Sequence, residues 1–294
     1  MKLPDNRDEW LKLRQGYVGA SEAAALYGKS PYTSYYGLWH AKTHGTTIDD
    51  NERMMLGRHL EEGIANAASE KYDLKLLKPT TYYTDELNRL GATLDFITAD
   101  GQPVEIKNVS LDAYARDWQD GLPLHYRIQL QQQMALTGAK TVMLIALVAG
   151  TGLEQHFETY NQNFHNTTRK LASEFWQLVD AGTPPEPDHH SDLKLMTSVL
   201  TNMDDTTADL SGDEQFNQIA EELAEVMKDK KTLTKVEKQE KILKAKLVGF
   251  MGTHKKAVAA NGLKITRSEV AAAEVSYTRD AYVSVRVTLP KEKK

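Results

Sequence analysis

Three residues in the middle of the chain, Asp95, Glu105 and Lys107, have the types and spacing of a centre that binds a hard cation and cleaves a phosphodiester. Glu105 and Lys107 lie in a predicted strand, residues 104–107, and a strand turns alternate side chains to opposite faces. The acid and the lysine therefore share one face, and Asp95 is close enough in sequence to add a second carboxylate. Carboxylate oxygens are ligands that Mg²⁺ prefers, and a bound cation activates water.

The turn before this strand decides whether the two acids meet. Residues 99–101, Ala-Asp-Gly, suit a three-residue hairpin loop with the glycine in the left-handed conformation. Such a loop pairs Thr98 with Gln102 and places Asp95 opposite Glu105, whereas a two-residue turn puts Asp95 on the wrong face. The chemistry therefore predicts the longer loop. A kink at Asp95 gives the same result, and an ordinary exposed hairpin is the alternative.

Glu61 is a further candidate ligand, from a helix predicted over residues 52–72. Projection at about 100° per residue places Glu61 inside the apolar arc of this helix and Glu62 outside it. An acid on a buried stripe is costly unless it meets a metal, a cation or several donors. Glu61 is therefore the functional candidate, with a salt bridge inside the core as the alternative.

Polar residues also line a helix predicted over residues 125–137. Tyr126, Gln129 and Gln133 lie along one line of this helix, between apolar side chains. Amides on such a surface suggest contacts to a phosphate or to a metal-bound water; a satisfied network in the core is the alternative.

Arg14 and Ser21, near the start of the chain, are candidates for holding a phosphate. Residues 8–15 are predicted as a helix, and Ser21 is predicted as the N-cap of a short second helix, residues 22–27. A helix N-terminus offers free amides and partial positive charge, to which Arg14 would add a bidentate contact. The alternative is that Ser21 is only a cap and Arg14 only a surface residue.

The predicted elements give an α/β (α+β) fold, in which helices flank a central mixed sheet. The strand-like segments are residues 74–83, 90–97, 104–109, 140–148 and 153–160. The 140–148 segment is almost continuously apolar, so it should be central and covered on both faces. A proline-rich run, residues 184–187, ends this first domain, which predicts domains 1–190 and 191–294.

The second domain is predicted to be a helical and β-hairpin extension. Residues 215–256 are rich in lysine and carry an apolar stripe with a phase slip near residues 233–236, which predicts a helical hairpin or one interrupted helix. Residues 262–266 and 282–289 resemble terminal strands. The lysine-rich face either contacts phosphates or is simply solvated.

Composition limits the classes of protein. The chain has 294 residues and no cysteine, which excludes disulfides, iron–sulfur clusters and thiolate zinc sites. Its net charge of −5 gives no general affinity for nucleic acid, so any contact with DNA needs a local basic surface. Because no apolar run is long enough to span a membrane and the first residues lack a signal-peptide core, we expect a cytoplasmic protein.

Five stretches, in order along the chain, resemble the YqaJ-like viral recombinases, relatives of phage lambda exonuclease within the PD-(D/E)XK nucleases. They are WLKLRQGYVGASE (10–22), GRHLE (57–61), LD (94–95), VEIK (104–107) and YRIQLQ (126–131). Each is weak alone, but five in order are specific. The chain departs from the pattern at Leu94, where proline is common, in the short loop before Glu105, and in the long segment after Pro187.

The resemblance implies a restriction-endonuclease-like core and a Mg²⁺-dependent 5′-to-3′ exonuclease, with Mn²⁺ as a substitute metal. Such an enzyme would digest linear double-stranded DNA and leave 3′ overhangs for recombination by single-strand annealing. It implies a homo-oligomer, a trimer, encoded by a phage or prophage, that acts in the bacterial host cytoplasm with a single-strand annealing protein. It also implies roles for individual residues. Asp95, Glu105, Glu61 and the carbonyl of Ile106 would be metal ligands, and Lys107, Gln129 and Tyr126 would complete the catalytic centre. Arg14 and Ser21 would bind the 5′-phosphate.

Two other functions suit the same residues. An endonuclease of the same superfamily would share the chemistry, but the pair Arg14 and Ser21 favours an enzyme directed to DNA ends. A non-catalytic DNA-binding or assembly protein would use the lysine-rich helix. The complete set of two acids and a lysine argues against that interpretation.

Overall fold

The computed structural model describes residues 1–4, 6–45, 52–149, 151–188, 192–199, 209–251, 256–258 and 264–266. The chain divides into two units, Met1–Thr197 and Ser198–Lys294. The helices are α1 (Arg7–Gln15), α2 (Ala23–Leu26), α3 (Tyr35–His44), α4 (Glu52–Tyr72), α5 (Leu111–Asp117), α6 (Leu124–Thr137), α7 (Gln162–Asp180), α8 (Asp192–Val199) and α9 (Glu214–Met251). The strands are β1 (Val18–Gly19), β2 (Leu76–Leu77), β3 (Tyr83–Asp85), β4 (Leu90–Ala92), β5 (Phe96–Thr98), β6 (Pro103–Val109), β7 (Thr141–Val148), β8 (Gly152–Thr159), β9 (Lys256–Val258) and β10 (Lys264–Thr266).

A five-stranded sheet in the order β2–β5–β6–β7–β8 forms the centre of the first unit. Strands β6 and β7 run parallel, whereas the other neighbours run antiparallel, so the sheet is mixed. Strand β7 is buried along most of its length, as its apolar sequence predicts, and β8 is an edge strand whose side chains alternate in exposure.

Helices cover both faces of this sheet. On one face, Ile64 of α4 packs in a cluster with Val104 and Ile106 of β6. On the other face, Leu130 of α6 packs in a cluster with Leu144 of β7. Each buried aliphatic side chain of this kind stabilises the fold by about 1.5–3 kcal/mol. The predicted α/β fold, a central mixed sheet flanked by helices, is confirmed.

Two of the predicted strands are each broken into two. Residues 74–83 form β2 and β3, because Pro79 offers no amide hydrogen and its ring restricts Lys78. Residues 90–97 form β4 and β5. Strand β4 joins β1 and β3 in a separate three-stranded sheet, and the chain leaves this sheet at residues 93–95 before β5 enters the main one.

Most helices lie where the sequence predicts them. Helices α5 and α8 are additions. Helix α5 begins after Ser110, whose hydroxyl accepts a hydrogen bond from the Ala113 amide. Among the described residues, no helix is both long enough and apolar enough to cross a membrane.

The second unit contains one long helix, α9, rather than the predicted hairpin or interrupted helix. The phase slip does not break α9; instead Leu233 and Val236 are exposed. Strands β9 and β10 pair antiparallel, so the strand predicted at residues 262–266 is present in part. The strand predicted at residues 282–289 lies outside the described residues.

Candidate active site

The β5–β6 hairpin sets the register of the site. The Thr98 amide donates to the Gln102 carbonyl at 2.9 Å, and Gly101 has φ +88°, as the three-residue loop requires. Phe96 pairs with Val104, so the next position places Asp95 opposite Glu105. Asp95 itself lies in a bend just before β5. The predicted three-residue loop is therefore confirmed. The bend at Asp95, which the sequence offered as an alternative to this loop, is present as well.

Glu105 is held by three donors on the α6 side of the sheet. Lys107 Nζ and Gln129 Nε2 donate to its Oε1 at 2.5 and 2.6 Å, and Gln133 Nε2 donates to its Oε2 at 2.6 Å. The carboxylate is 4% exposed. Hydrogen bonds to a charged acceptor are about twice as strong as neutral ones. The line of amides predicted on this helix therefore fixes the orientation of Glu105.

Asp95 is a buried carboxyl group beside a second acid. Its Oδ2 accepts a hydrogen bond from the Ile106 amide at 2.8 Å. Burial, and then the neighbouring charge of Glu105, raise the pKa of Asp95 well above its usual value; Glu61 adds to this, whereas Lys107 opposes it. The metal-free site therefore carries more negative charge than its surroundings stabilise.

Lys107 is the cation of this cluster. Its Nζ lies 5.2 Å from the centroid of the Tyr126 ring, a distance that allows a cation–π contact. Burial lowers the pKa of Lys107, but the carboxylates of Glu105 and Asp95 raise it by more, so the net shift is upward. The shift favours the protonated amine, so Lys107 contributes a positive charge to the cluster.

Glu61, the third predicted acidic ligand, is paired with a lysine. It lies on α4, and its Oε1 forms an ion pair with Lys78 Nζ at 2.8 Å. The Lys78 side chain is well exposed, so the pair contributes at most about 1 kcal/mol to stability. Glu61 is connected to the site through its effect on the pKa of Asp95. Its role as a metal ligand remains a prediction.

The cluster suits a hard divalent cation. When both acids are ionised, Asp95 and Glu105 carry two negative charges against one positive charge of Lys107, and both acids offer oxygen atoms. No group of three His, Cys, Asp or Glu side chains in the described part of the chain is arranged as a ready-made metal cage. The predicted ligands Asp95, Glu105 and the carbonyl of Ile106 could hold a cation, which would offset the negative charge of the two acids.

Arg14 and Ser21 lie together, as predicted, with Arg14 Nη2 donating to Ser21 Oγ at 3.3 Å. The predicted cap is wrong, however. Helix α2 begins at Ala23, and its N-cap position is Glu22, whose side chain makes no capping hydrogen bond. Ser21 precedes that position and is bonded to Arg14 instead. Because α2 has only four residues, the argument for anion binding at its N-terminus does not hold.

Two residues that the sequence did not single out, Glu22 and Lys42, surround Arg14. Glu22 accepts from Arg14 Nη2 at 3.0 Å and from Lys42 Nζ at 2.7 Å, and Lys42 also donates to the Arg14 carbonyl at 3.0 Å. Burial raises the pKa of Glu22, but Arg14 and Lys42 lower it by more, so the carboxyl group is ionised. Two cations around one anion leave one positive charge, and Arg14 is still partly exposed.

One signal in the sequence would have found the buried lysine. Lys42 lies four residues after Leu38 and three after Trp39, so it shares the apolar face of α3. Its side chain is 3% exposed. The same reasoning that singled out Glu61 on its helix therefore applies to Lys42, which requires a charged partner in the core.

The cost of the buried Asp95 charge gives a first prediction. We expect Asp95→Asn to raise the free energy of unfolding of the metal-free protein by about 0.5–2 kcal/mol at roughly pH 8, because the amide removes a charge but keeps an acceptor for the Ile106 amide. Urea unfolding in EDTA measures this change. Asp120→Asn, in an exposed turn, is the matched control. A destabilised Asp95→Asn variant would contradict an unfavourable buried carboxylate.

The pH dependence of that effect has a defined sign. Since folding raises the pKa of Asp95 above its ordinary value of 3.8, the folded state binds this proton more tightly than the unfolded state does. The resulting stabilisation is complete below the unfolded value and is lost as the pH rises through the folded value. The advantage of Asp95→Asn should therefore vanish near about pH 4 and grow toward about pH 8 in urea unfolding at a series of pH values. An advantage that does not change with pH would show that charge is not its cause.

Two sequence comparisons identify relatives. Residues 9–140 match the family model described as the YqaJ-like viral recombinase domain. The chain is also 26% identical, over 265 residues, to the uncharacterized protein YqaJ of Bacillus subtilis (strain 168). That similarity covers 85% of this chain and 82% of the relative.

Solved structures with a similar fold are also known. The alkaline exonuclease LHK-Exo from Laribacter hongkongensis has a TM-score of 0.51 and 20% identity, over 66% of this chain and 100% of the other. LHK-Exo in complex with dAMP has a TM-score of 0.52 at the same identity and coverage. At this identity, the likeness shows a shared fold. The resemblance to the YqaJ-like viral recombinases that the sequence motifs indicate is therefore confirmed over residues 9–140.

Proposed function

We propose that this protein is a metal-dependent exonuclease that digests linear duplex DNA from its 5′ ends. The observation that carries this proposal is the buried cluster of Asp95, Glu105 and Lys107, with a surplus negative charge and oxygen donors that suit a hard cation. The match to the YqaJ-like viral recombinase domain supports it, because phage-type recombination begins with processing of a DNA end.

Metal chemistry and residue chemistry have separate parts in the proposed reaction. A bound Mg²⁺, or Mn²⁺ in its place, supplies Lewis acidity at the phosphate and lowers the pKa of a bound water. Lys107, which is protonated, stabilises the negative charge that develops on the phosphate in the transition state. Gln129 and Gln133 hold Glu105 in one orientation, and the Tyr126 ring lies beside Lys107. Asp95 binds a cation only when it is ionised, so metal binding and the reaction should weaken as the pH falls through the raised pKa of Asp95.

The cluster around Arg14 supports a preference for DNA ends. Arg14 offers NH donors and Ser21 a hydroxyl group. Arg14 and Lys42 carry two positive charges against the one negative charge of Glu22, so the cluster has a net charge of one positive unit. A 5′-phosphate is an anion of the kind that a guanidinium group binds with two hydrogen bonds. The solved relative LHK-Exo is described as an alkaline exonuclease, and one of its structures holds the nucleotide dAMP.

The resemblance extends the proposal to assembly and products. We propose that the enzyme leaves 3′ overhangs, forms a homo-oligomer of three chains and works with a single-strand annealing protein. We also propose that residues 1–190 form the nuclease domain and residues 191–294 an extension to it. Glu61 is proposed as an additional metal ligand, which requires it to leave Lys78.

Digestion of DNA tests the proposed activity. We expect loss of one strand from the 5′ ends of a linear, 5′-phosphorylated duplex with Mg²⁺, and no cutting of an intact circle. Asp95→Ala and Lys107→Ala should each lower the rate at least about 100-fold, because each removes charge from the centre of the reaction. Strand-specific end labels and gel electrophoresis measure the products.

Each other outcome of that assay points to a different protein. Asp120→Asn is the control that should digest at the wild-type rate, and circular dichroism should show that all variants are folded. Cutting of the circle would identify an endonuclease. DNA binding that persists in EDTA, without digestion in Mg²⁺, would identify a non-catalytic DNA-binding protein.

End recognition is tested by the state of the 5′ terminus. We expect Arg14→Ala to lower the preference for a 5′-phosphate over a 5′-hydroxyl end, as a ratio of kcat/KM values, about tenfold or more, because it removes the charged donor to the phosphate. Ser21→Ala should have a smaller effect in the same direction. Arg116→Ala, in which the lost arginine is exposed on α5, is the matched control. Equal losses on both kinds of end would show that Arg14 does not read the terminal phosphate.

A further inference from the structure

Tyr32 is a large aromatic side chain that is 71% exposed, in the loop between α2 and α3. The loop holds it in a defined place. Ser30 Oγ accepts hydrogen bonds from the amides of Tyr32 and Thr33, each at 3.2 Å, and Ser34 Oγ then caps α3 by accepting from the Gly37 amide. The exposure of the Tyr32 ring is therefore a feature of an ordered loop.

The hydroxyl end of Tyr32 reaches the candidate active site. Its Oη lies 3.2 Å from Tyr126 Oη, and its ring meets His125 in a T-shaped contact with centroids 5.7 Å apart. The Tyr126 ring in turn lies 5.2 Å from Lys107 Nζ. Tyr32 thus lies at the rim of the site, within reach of a nucleotide next to a phosphate held at Lys107, since stacked nucleotides advance about 3.4 Å each.

We propose that Tyr32 is the platform on which a nucleobase next to the scissile phosphate stacks. This inference rests on the proposed nuclease function. The hydroxyl group contacts Tyr126 and the ring makes a T-shaped contact with His125, while 71% exposure leaves ring surface open to a flat partner. Stacking on an aromatic ring suits every base, because all four have a π-face. It would therefore hold the end of the strand without restricting its sequence.

A structural role for the hydroxyl group is the competing explanation. The Tyr32 hydroxyl hydrogen-bonds to the Tyr126 hydroxyl, so Tyr32 would then only hold Tyr126 beside Lys107. Two substitutions distinguish these explanations. Tyr32→Phe keeps the ring and loses the hydroxyl group, whereas Tyr32→Ala loses both. Since the side chain is exposed, neither change should unfold the protein.

The test uses 2-aminopurine, a fluorescent base whose emission is quenched by stacking. It is placed at the 5′-terminal nucleotide of a phosphorylated duplex, and fluorescence is measured on binding of the full-length protein with Ca²⁺, another hard cation with oxygen ligands, in place of Mg²⁺. We expect the wild type, Tyr32→Phe and Tyr32→Trp to change the emission equally. Tyr32→Ala should lose the change and weaken binding about 5- to 100-fold. In Mg²⁺, Tyr32→Ala should raise KM more than it lowers kcat.

Controls define the outcomes. Phe157→Ala removes another exposed aromatic, on the edge strand β8, two strands away from β6, and should behave as wild type. If Tyr32→Ala digests DNA and has the same emission change and KM as the wild type, the proposed stacking role of Tyr32 is wrong, whereas the proposed nuclease function stands. Equal losses in Tyr32→Phe and Tyr32→Ala would assign the hydroxyl role instead. A wild type that neither binds nor digests the duplex would overturn both proposals.

Discussion

The register of the β5–β6 hairpin is the constraint on which the candidate site depends. Its three-residue loop places Asp95 opposite Glu105, and alternation along β6 then separates two environments. Val104 and Ile106 enter the apolar layer under α4, while Glu105 meets the amides of α6. A slip of one residue would bury the charged pair among aliphatic side chains and turn the apolar pair toward the amides. Both changes are costly, so packing of the sheet and placement of the acids specify each other.

This arrangement is unfavourable in one respect that the proposed function would explain. Burial, and then the charge of Glu105, raise the pKa of Asp95. Side-chain amides of α6 and the Ile106 amide nevertheless fix the two carboxyl groups, and under the proposed function a cation would bind both. Binding energy from the cation is then largest in the folded state, so a ligand that is needed for chemistry would also stabilise the protein.

Local patterns in the sequence predicted much of the fold and the centre of the candidate site. Periodicity located the helices and the buried β7, and turn chemistry located the loop that sets the register of Asp95. These patterns did not predict that residues 90–97 leave one sheet for another, because that choice depends on the distant strand β1. The Arg14 cluster was predicted only in part, since its buried partner Lys42 lies 28 residues further along the chain. Such ionic partners are fixed by tertiary packing, which a local pattern does not encode.

Local charge, and not the net charge of −5, decides how this protein would meet DNA. The Arg14 cluster has a surplus of one positive charge and the Asp95 cluster a surplus of one negative charge. A phosphate is attracted to the first without help, whereas at the second it is repelled until a cation is bound. Under the proposed function, recognition of an end and cleavage would therefore differ in their need for metal. This separation would let the enzyme hold a DNA end before the metal-dependent step begins, and the exposed Tyr32 ring needs no charge to contribute to that first contact.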